Sequence, residues 1–273
     1  MKSNREKGQR FQLFKRKHLC IPYGVFLILF IIIPILIIVF YAFTDDNGVP
    51  SVSALVGFFT SWSKVNVLFT SVFVALQTTL LCLLIGYPLA YFLADKKVNK
   101  NAVLITLFVA PMWINFVLRT GATRDLLTWM GINGGNLPYL ATLIGMVQNY
   151  LPFVILPLYT TMLNLDKIQM EAAADLGANP AQVFFLNVVP QSVPGIVSAC
   201  TMTFMPTMSS YVISDTLSEG KITLFGNYIY LDFANNLWHD GSFMALIMLI
   251  IIGLSMFLTR NSGKKEKEGG AAW

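Results

Sequence analysis

The sequence predicts an all-helical integral membrane protein with six transmembrane helices and both termini in the cytoplasm, and three observations carry that reading. Hydrophobic residues make up 55% of the 273 and charged residues only 12%, about half the share of a soluble globule, roughly 25%. Six windows contain no Asp, Glu, Lys or Arg: 21–43, 67–94, 102–118, 139–160, 195–214 and 242–259. Each reaches the minimum of about 17 residues that a helix needs to cross the hydrocarbon core. With the N-terminus placed inside, fifteen of the nineteen Lys and Arg fall on the cytoplasmic side, the side that basic segments favour.

In chain order, residues 1–20 form a basic tail, with seven Lys and Arg among the first 17. The first window, 23 residues long, exceeds the roughly 7–15 apolar residues of a secretory signal. No small-residue cleavage site follows it, so it is expected to stay as the first span. Pro34 in its middle is expected to bend it, because neighbouring helices can satisfy the carbonyl that proline frees. Neither end carries a lipidation motif. The second window is long enough to tilt and leads to a basic turn with Lys96, Lys97 and Lys100. The third is the shortest, and Arg119 and Arg124 follow it on the outer side. The fourth leads into a cytoplasmic segment, 161–194, whose single basic residue is Lys167. The fifth is rich in hydroxyls, and the sixth precedes a cytoplasmic tail, 260–273. Outer residues 215–241 carry Phe225, Tyr228, Tyr230, Phe233 and Trp238, a composition suited to the membrane face. The runs are too long for strands and too continuous for the alternation of an outer-membrane barrel.

What the chain lacks narrows its function. The charge deficit excludes a disordered chain, a nucleic-acid module and an ordinary soluble enzyme, and the formal charge of +5 is accounted for by the tails that set topology. Cys20, Cys82 and Cys200 lie too far apart for a disulfide framework or a paired zinc site. There is no GxxxxGK[ST] phosphate loop, so no ATP site is expected on this chain. His18 and His239 form no metal-ligand pair, and no catalytic constellation is evident. The windows hold no charged side chain of the kind that marks a proton relay. A stand-alone secondary carrier is therefore disfavoured. The chain is expected to supply a pathway while something else supplies energy.

Residues 165–190 are the most informative part of the sequence. Asp166 can cap a helix, with Gln169 at the third position of a capping box. Gly177 stands where that helix would end in a left-handed residue. Asn179 offers a second cap, Pro180 suits the first helical position and Gln182 repeats the third-position pattern. The pattern predicts a helix, a tight turn and a second short helix ending before Pro190, with Val183, Phe184 and Leu186 on its apolar face. Such a hairpin either docks on a protein partner or lies on lipid headgroups. The scarcity of basic residues favours the partner.

Glu171-Ala172-Ala173, followed by Gly177 and a small apolar cluster ending at Pro190, resembles the EAA loop of the permease subunits of binding-protein-dependent ABC importers. The chain departs from the usual pattern at Asn187, where Ile is common, and at Val189, where Leu is common. The resemblance runs from Ile21 to Thr259 and is strongest to spermidine/putrescine permeases, particularly the first of their two permease subunits. It rests further on Gly86-Tyr-Pro-Leu-Ala-Tyr-Phe-Leu-Ala94, Pro111-Met-Trp-Ile-Asn115, Leu156-Pro-Leu-Tyr159, Tyr211-Val-Ile-Ser-Asp215, and Leu224-Phe-Gly-Asn-Tyr-Ile229 with Phe233. Permeases for other small solutes, such as thiamine, iron or opines, share several of these stretches. The resemblance implies the type I importer permease fold in a bacterial cytoplasmic membrane. It implies as partners a second homologous permease, two copies of a cytoplasmic ATPase carrying ATP and Mg, and an extracytoplasmic polyamine-binding protein. It implies that Glu171, Ala172, Ala173 and Gly177 shape a coupling hairpin ending at Pro190. Ala178, Asn179, Pro180, Ala181 and Gln182 would then lie nearest the ATPase.

In the fifth window Thr203, Thr207, Ser210 and Ser214 fall on one helical stripe. The stripe reads as helix-to-helix hydrogen bonding or as pathway lining, and the resemblance implies the second. Asp215 is expected to end that helix on the outer side, as a solvated acid or as a carboxylate for a substrate ammonium, with Tyr211 one turn away offering a cation–π face. Trp113 and Asn115 are similar candidates, and Trp113 also reads as an interfacial anchor. Seven acids against four basic residues in the outer segments suit a cationic solute.

Overall fold

The computed structural model describes the backbone of residues 16–45, 47–95 and 103–269, and the side chains of 21–45, 47–95 and 103–257. Most of the basic N-terminal tail, Lys96, Lys97 and Lys100, the first residue of the third window, and the side chains of the C-terminal tail lie outside the described residues.

The first span is built from α1 (Arg16–Leu27), a five-residue π turn (Ile28–Ile32) and α2 (Ile33–Ala42). The Ile33 N–H reaches back to the Ile28 carbonyl, so the helix is widened just before Pro34. A proline ring needs room where the carbonyl four residues earlier would lie, and a π turn provides it. A loop pinned by a Thr44–Pro50 bridge leads to α3 (Ser53–Thr60) and α4 (Trp62–Ala94). At 33 residues, α4 is about 50 Å long, well beyond the roughly 30 Å hydrocarbon core.

The third window does not form one straight helix. α5 (Val103–Val109) runs into a 3-10 turn (Ala110–Trp113), the chain breaks, and α6 (Phe116–Trp129) leaves at 97°. α6 carries on past Arg119, because that charge is bonded to the buried Asn149 side chain and to the Pro111 carbonyl. α7 (Pro138–Leu163) follows, then α8 (Lys167–Asp175), α9 (Pro180–Val183), a second π turn (Phe184–Val188) and α10 (Val189–Ser209). The expected stop before Pro190 is therefore absent. Val189 N–H bonds the Phe184 carbonyl, and the same widened-turn device seen at Pro34 lets the helix run through Pro190.

α10 itself ends at Ser209, short of the fifth window's end, so Asp215 lies within α11 (Val212–Ser218) rather than closing α10. In a continuing helix the Pro206 carbonyl would accept from Ser210. Here Ser210 N–H turns to the Thr207 carbonyl at 3.2 Å, and the Tyr150 hydroxyl of α7 donates to Pro206 at 3.1 Å. α12 (Phe225–Ala234) and α13 (Trp238–Gly269) complete the chain. Five of these helices are long and apolar enough to cross a membrane, or six if the bent α5–α6 pair is one span.

α4, α7 and α10 form the centre. Cys82, Ala90, Val154, Leu158 and Ala199 are buried between them. Two glycines set the spacing. A Cβ on Gly86 would lie 2.9 Å from Val154, and one on Gly195 would lie 2.6 Å from the Thr161 hydroxyl. The first span packs on α13, but this chain buries almost none of its surface.

Candidate functional site

The hairpin of α8 and α9 is set by local chemistry. Asp166 Oδ1 accepts from Ile168 N–H at 3.0 Å, capping α8. At the other end Gly177 takes φ +88°. Its N–H bonds the Ala174 carbonyl at 2.9 Å, while Ala178 N–H bonds that of Ala173 at 3.1 Å. This pair of bonds is the Schellman motif, which requires a left-handed residue at the position of Gly177. One residue later Asn179 and Gln182 exchange side-chain-to-backbone bonds of 2.8 Å each, a complete capping box with Pro180 at the first turn. The box expected at α8 is completed differently. Asp166 N–H donates to Gln191 Oε1 at 3.0 Å, not to Gln169.

Gln191 belongs to a latch that closes the hairpin's base. Its Nε2 donates to Asn187 Oδ1 at 2.6 Å and to Gln169 Oε1 at 3.3 Å, and Asn187 Nδ2 donates to the Gln169 carbonyl at 3.3 Å. Asn187, a departure from the common pattern, thus has hydrogen-bonding work that an Ile could not do. Glu171, Ala172, Asn179, Pro180, Ala181, Gln182 and Pro190 are exposed, and Ala173 and Ala178 are half-buried. Of the expected apolar face, Val183 and Phe184 turn inward while Leu186 is exposed, and Leu176 at the hairpin tip is 90% exposed. Beneath the hairpin lies a cleft of about 710 Å³ bordered by Tyr91, Met162, Glu171 and Phe184. The Phe184 ring meets Tyr87 and Tyr91 of α4 edge-on, at 5.8 and 5.4 Å between centroids, and the Tyr87 and Ser192 hydroxyls are 2.8 Å apart.

The pathway candidates sit at the two helix breaks. Trp113, 81% exposed, ends the 3-10 turn, and Asn115 caps α6 by accepting from Val117 N–H at 2.9 Å. Tyr211 stacks on Tyr230 with centroids 4.9 Å apart, and Asp215 is exposed one turn further on. The hydroxyl stripe faces inward instead of along an open route. Thr203, Thr207 and Ser214 are buried. Thr207 donates to the Thr203 carbonyl and Ser214 to that of Ile222, while the Thr203 hydroxyl has no partner. Ser210 is half-buried.

Sequence reasoning passed over Arg119. Its Nε donates to Asn149 Oδ1 at 2.8 Å and its Nη1 to the Pro111 carbonyl at 2.7 Å, so a cation lies beside the middle of α7. Asn149 and Gln148 inside the fourth window were the available signal; Gln148 is bonded to Thr123 of α6. At the N-terminal ends of α4 and α13, Lys64 Nζ lies 2.8 Å from Asp240 Oδ2 and 3.9 Å from Asp232 Oδ2. Burial pushes the Asp232 carboxyl above its ordinary range, Lys64 opposes that rise and Asp240 adds to it. Among the described residues no group of three His, Cys, Asp or Glu side chains is placed to hold a metal.

Residues 83–262 match the model of the family described as binding-protein-dependent transport system inner membrane component. The chain is 32% identical over 254 residues to the spermidine/putrescine transport system permease protein PotB of Escherichia coli (strain K12), covering 85% of this chain and 92% of that protein. A PotB homolog of Mycoplasma genitalium is 31% identical over 79% of each chain. In fold, the chain is similar to a bacterial ABC transporter involved in the import of the acidic polysaccharide alginate, with a TM-score of 0.64 at 16% identity over 90% of this chain and 95% of that one.

Proposed function

This chain belongs to the family of binding-protein-dependent transport system inner membrane components, and on that premise we propose that it forms half of the translocation pathway of an ABC importer for spermidine and putrescine. It is a multi-pass membrane transport subunit, not a catalytic one. In this reading both termini and the α8–α9 hairpin lie in the cytoplasm. A second homologous permease completes the pathway, and an extracytoplasmic binding protein delivers the polyamine. Two copies of a cytoplasmic ATPase bind ATP and Mg.

The observation that carries the polyamine is the extent of the likeness to the named permeases. It runs along most of the chain, whereas the hairpin alone would be shared by importers of any solute. The hairpin supports the importer class by its build. Both of its helices are capped locally, its base is latched by Gln191, and an apolar tip at Leu176 is left for a partner to cover. Glu171, Ala172, Ala173 and Gly177 hold the turn, and Ala178, Asn179, Pro180, Ala181 and Gln182 form the surface offered to the ATPase. Closure of the ATPases biases a two-state element, and the hairpin passes that bias into the membrane. Tyr211, Asp215 and Trp113 are the residues suited to meet an ammonium group, by cation–π contact and by charge. Thr203 and Thr207 are buried in the packed face of α10, and Asn115 and Ser210 stand at the breaks.

The test is uptake of radiolabelled spermidine by cells carrying this chain with its candidate partners, with ATPase co-purification from the same membranes. Saturable uptake that needs ATP and is competed by unlabelled putrescine is expected. An assembled, ATP-hydrolysing complex that takes up no polyamine would discard the substrate, and failure of any ATPase to co-purify would discard the importer.

A further inference from the structure

Two helices of this chain are interrupted within the bundle, and consecutive residues of one neighbour hold both interruptions. At the α5–α6 break, Arg119 bonds the Pro111 carbonyl and Asn149 Oδ1. At the α10–α11 break, the Tyr150 hydroxyl donates to the Pro206 carbonyl at 3.1 Å. Asn149 is 2% exposed and spends its Nδ2 on the Gly145 carbonyl at 2.9 Å and on the Thr120 hydroxyl at 3.4 Å. Its oxygen is thereby aimed at Arg119. The two pairs are not independent, because Asn149 and Tyr150 are consecutive residues of α7 and Arg119 Nη2 also donates to the Asn149 carbonyl, at 3.4 Å, in the peptide that joins them.

We propose that Asn149 and Tyr150 are positioning residues that form one anchor, so that the α5–α6 and α10–α11 breaks change shape together when α7 moves. Broken helices inside a membrane persist only where something bonds the backbone groups they free, and here Asn149 and Tyr150, adjacent on α7, stand at both breaks. α7 is also the helix that leads directly into the hairpin, from Leu163 to the cap at Asp166. Between the anchor and the hairpin it carries Pro152 and Pro157, each of which removes one helical hydrogen bond and lowers resistance to bending. A displacement of the hairpin therefore reaches both breaks through one helix, and the candidate pathway residues Trp113, Ser210 and Tyr211 flank those breaks. The proposal rests on the importer reading for the motion it transmits.

The test uses the assembled complex and a readout that needs no polyamine. Single cysteines at Ile114 and Ser210, one in each break, are labelled with a maleimide in the presence and absence of a non-hydrolysable ATP analogue. In the parent both labelling rates are expected to shift with nucleotide. Tyr150→Phe, which removes only a hydroxyl, is expected to abolish the shift at position 210, and Asn149→Leu the shift at 114, each also weakening the other's response. Spermidine uptake is expected to fall about tenfold in each single variant and little further in the double, since groups acting as one unit are non-additive. Asn149→Asp, which keeps the acceptor for Arg119 but sets its second oxygen against the Gly145 carbonyl, should recover part of the loss. If Tyr150→Phe leaves both shifts and uptake intact, or if the two losses multiply in the double variant, the shared anchor is wrong. A parent complex whose labelling shifts with nucleotide but which imports no spermidine leaves the anchor standing and removes the polyamine. A parent that shows no nucleotide-dependent shift overturns the anchor.

Discussion

Gly177 is the residue on which the hairpin turns, and backbone conformation alone accounts for it. A Cβ there would meet no atom within 4 Å, yet φ is +88°. An L-residue held left-handed costs about 1–2 kcal/mol, least for Asn. We therefore expect Gly177→Asn to keep most spermidine uptake, Gly177→Ala to lose several-fold and Gly177→Val to lose most, measured at matched membrane abundance. Equal loss in all three would mean that the partner reads the absence of a side chain and not the turn. Gly177, Asn179 and Gln182 were legible in the sequence because capping is settled within four residues. Asn187 read only as a departure, because its partner Gln169 lies 18 residues away. The inward aim of Thr203 and Thr207 was equally hidden, since a stripe of hydroxyls has the same spacing whether it faces water or a neighbouring helix.

Among the elements, the spans were legible wherever apolar runs continued, and two misreadings share one cause. The second window opened at Val67, three residues past Lys64, and the third closed just before Arg119, as if charge meant water. Both side chains instead lie inside helices, paired with Asp240 and with Asn149. A window of sequence shows a charge but not the partner that lets it stay. The π turns were equally hidden, because a proline marks where a helix needs room and not how it finds it. The second π turn begins at Phe184, whose ring lodges against Tyr87 and Tyr91 one turn apart on α4. The hairpin otherwise overhangs a cleft, so this ring ties it to the central helices. Each edge-to-face pair contributes about 0.5–1.5 kcal/mol. Phe184→Ala is expected to lower import per ATP hydrolysed by about tenfold, with Phe184→Tyr close to the parent. A fall of import and hydrolysis in the same proportion would assign Phe184 to assembly alone.

For the whole molecule, the central helices and the end of the bundle at Lys64 are held by different forces. α4, α7 and α10 meet through glycines and small apolar residues, while the N-terminal ends of α4 and α13 meet α12 through Lys64, Asp232 and Asp240. That triad has one cation for two carboxylates, and Asp232 Oδ2 is buried with Lys64 no nearer than 3.9 Å. Because the folded protein raises the Asp232 carboxyl, it holds a proton over a range where the unfolded chain has already lost it. In that range the native state binds more protons, so stability falls as pH rises from the ordinary carboxylate range through the raised value. Above that value the loss is complete and constant. Thermal unfolding of the purified complex, followed against pH, should show this decline, and Asp232→Asn should flatten it. Lys64→Met removes the only cation of the triad, so it should destabilise most at neutral pH and be rescued by acidification, which neutralises the stranded carboxylates. If Lys64→Met is equally destabilising at every pH, the lysine acts through packing of its stem and not through its charge.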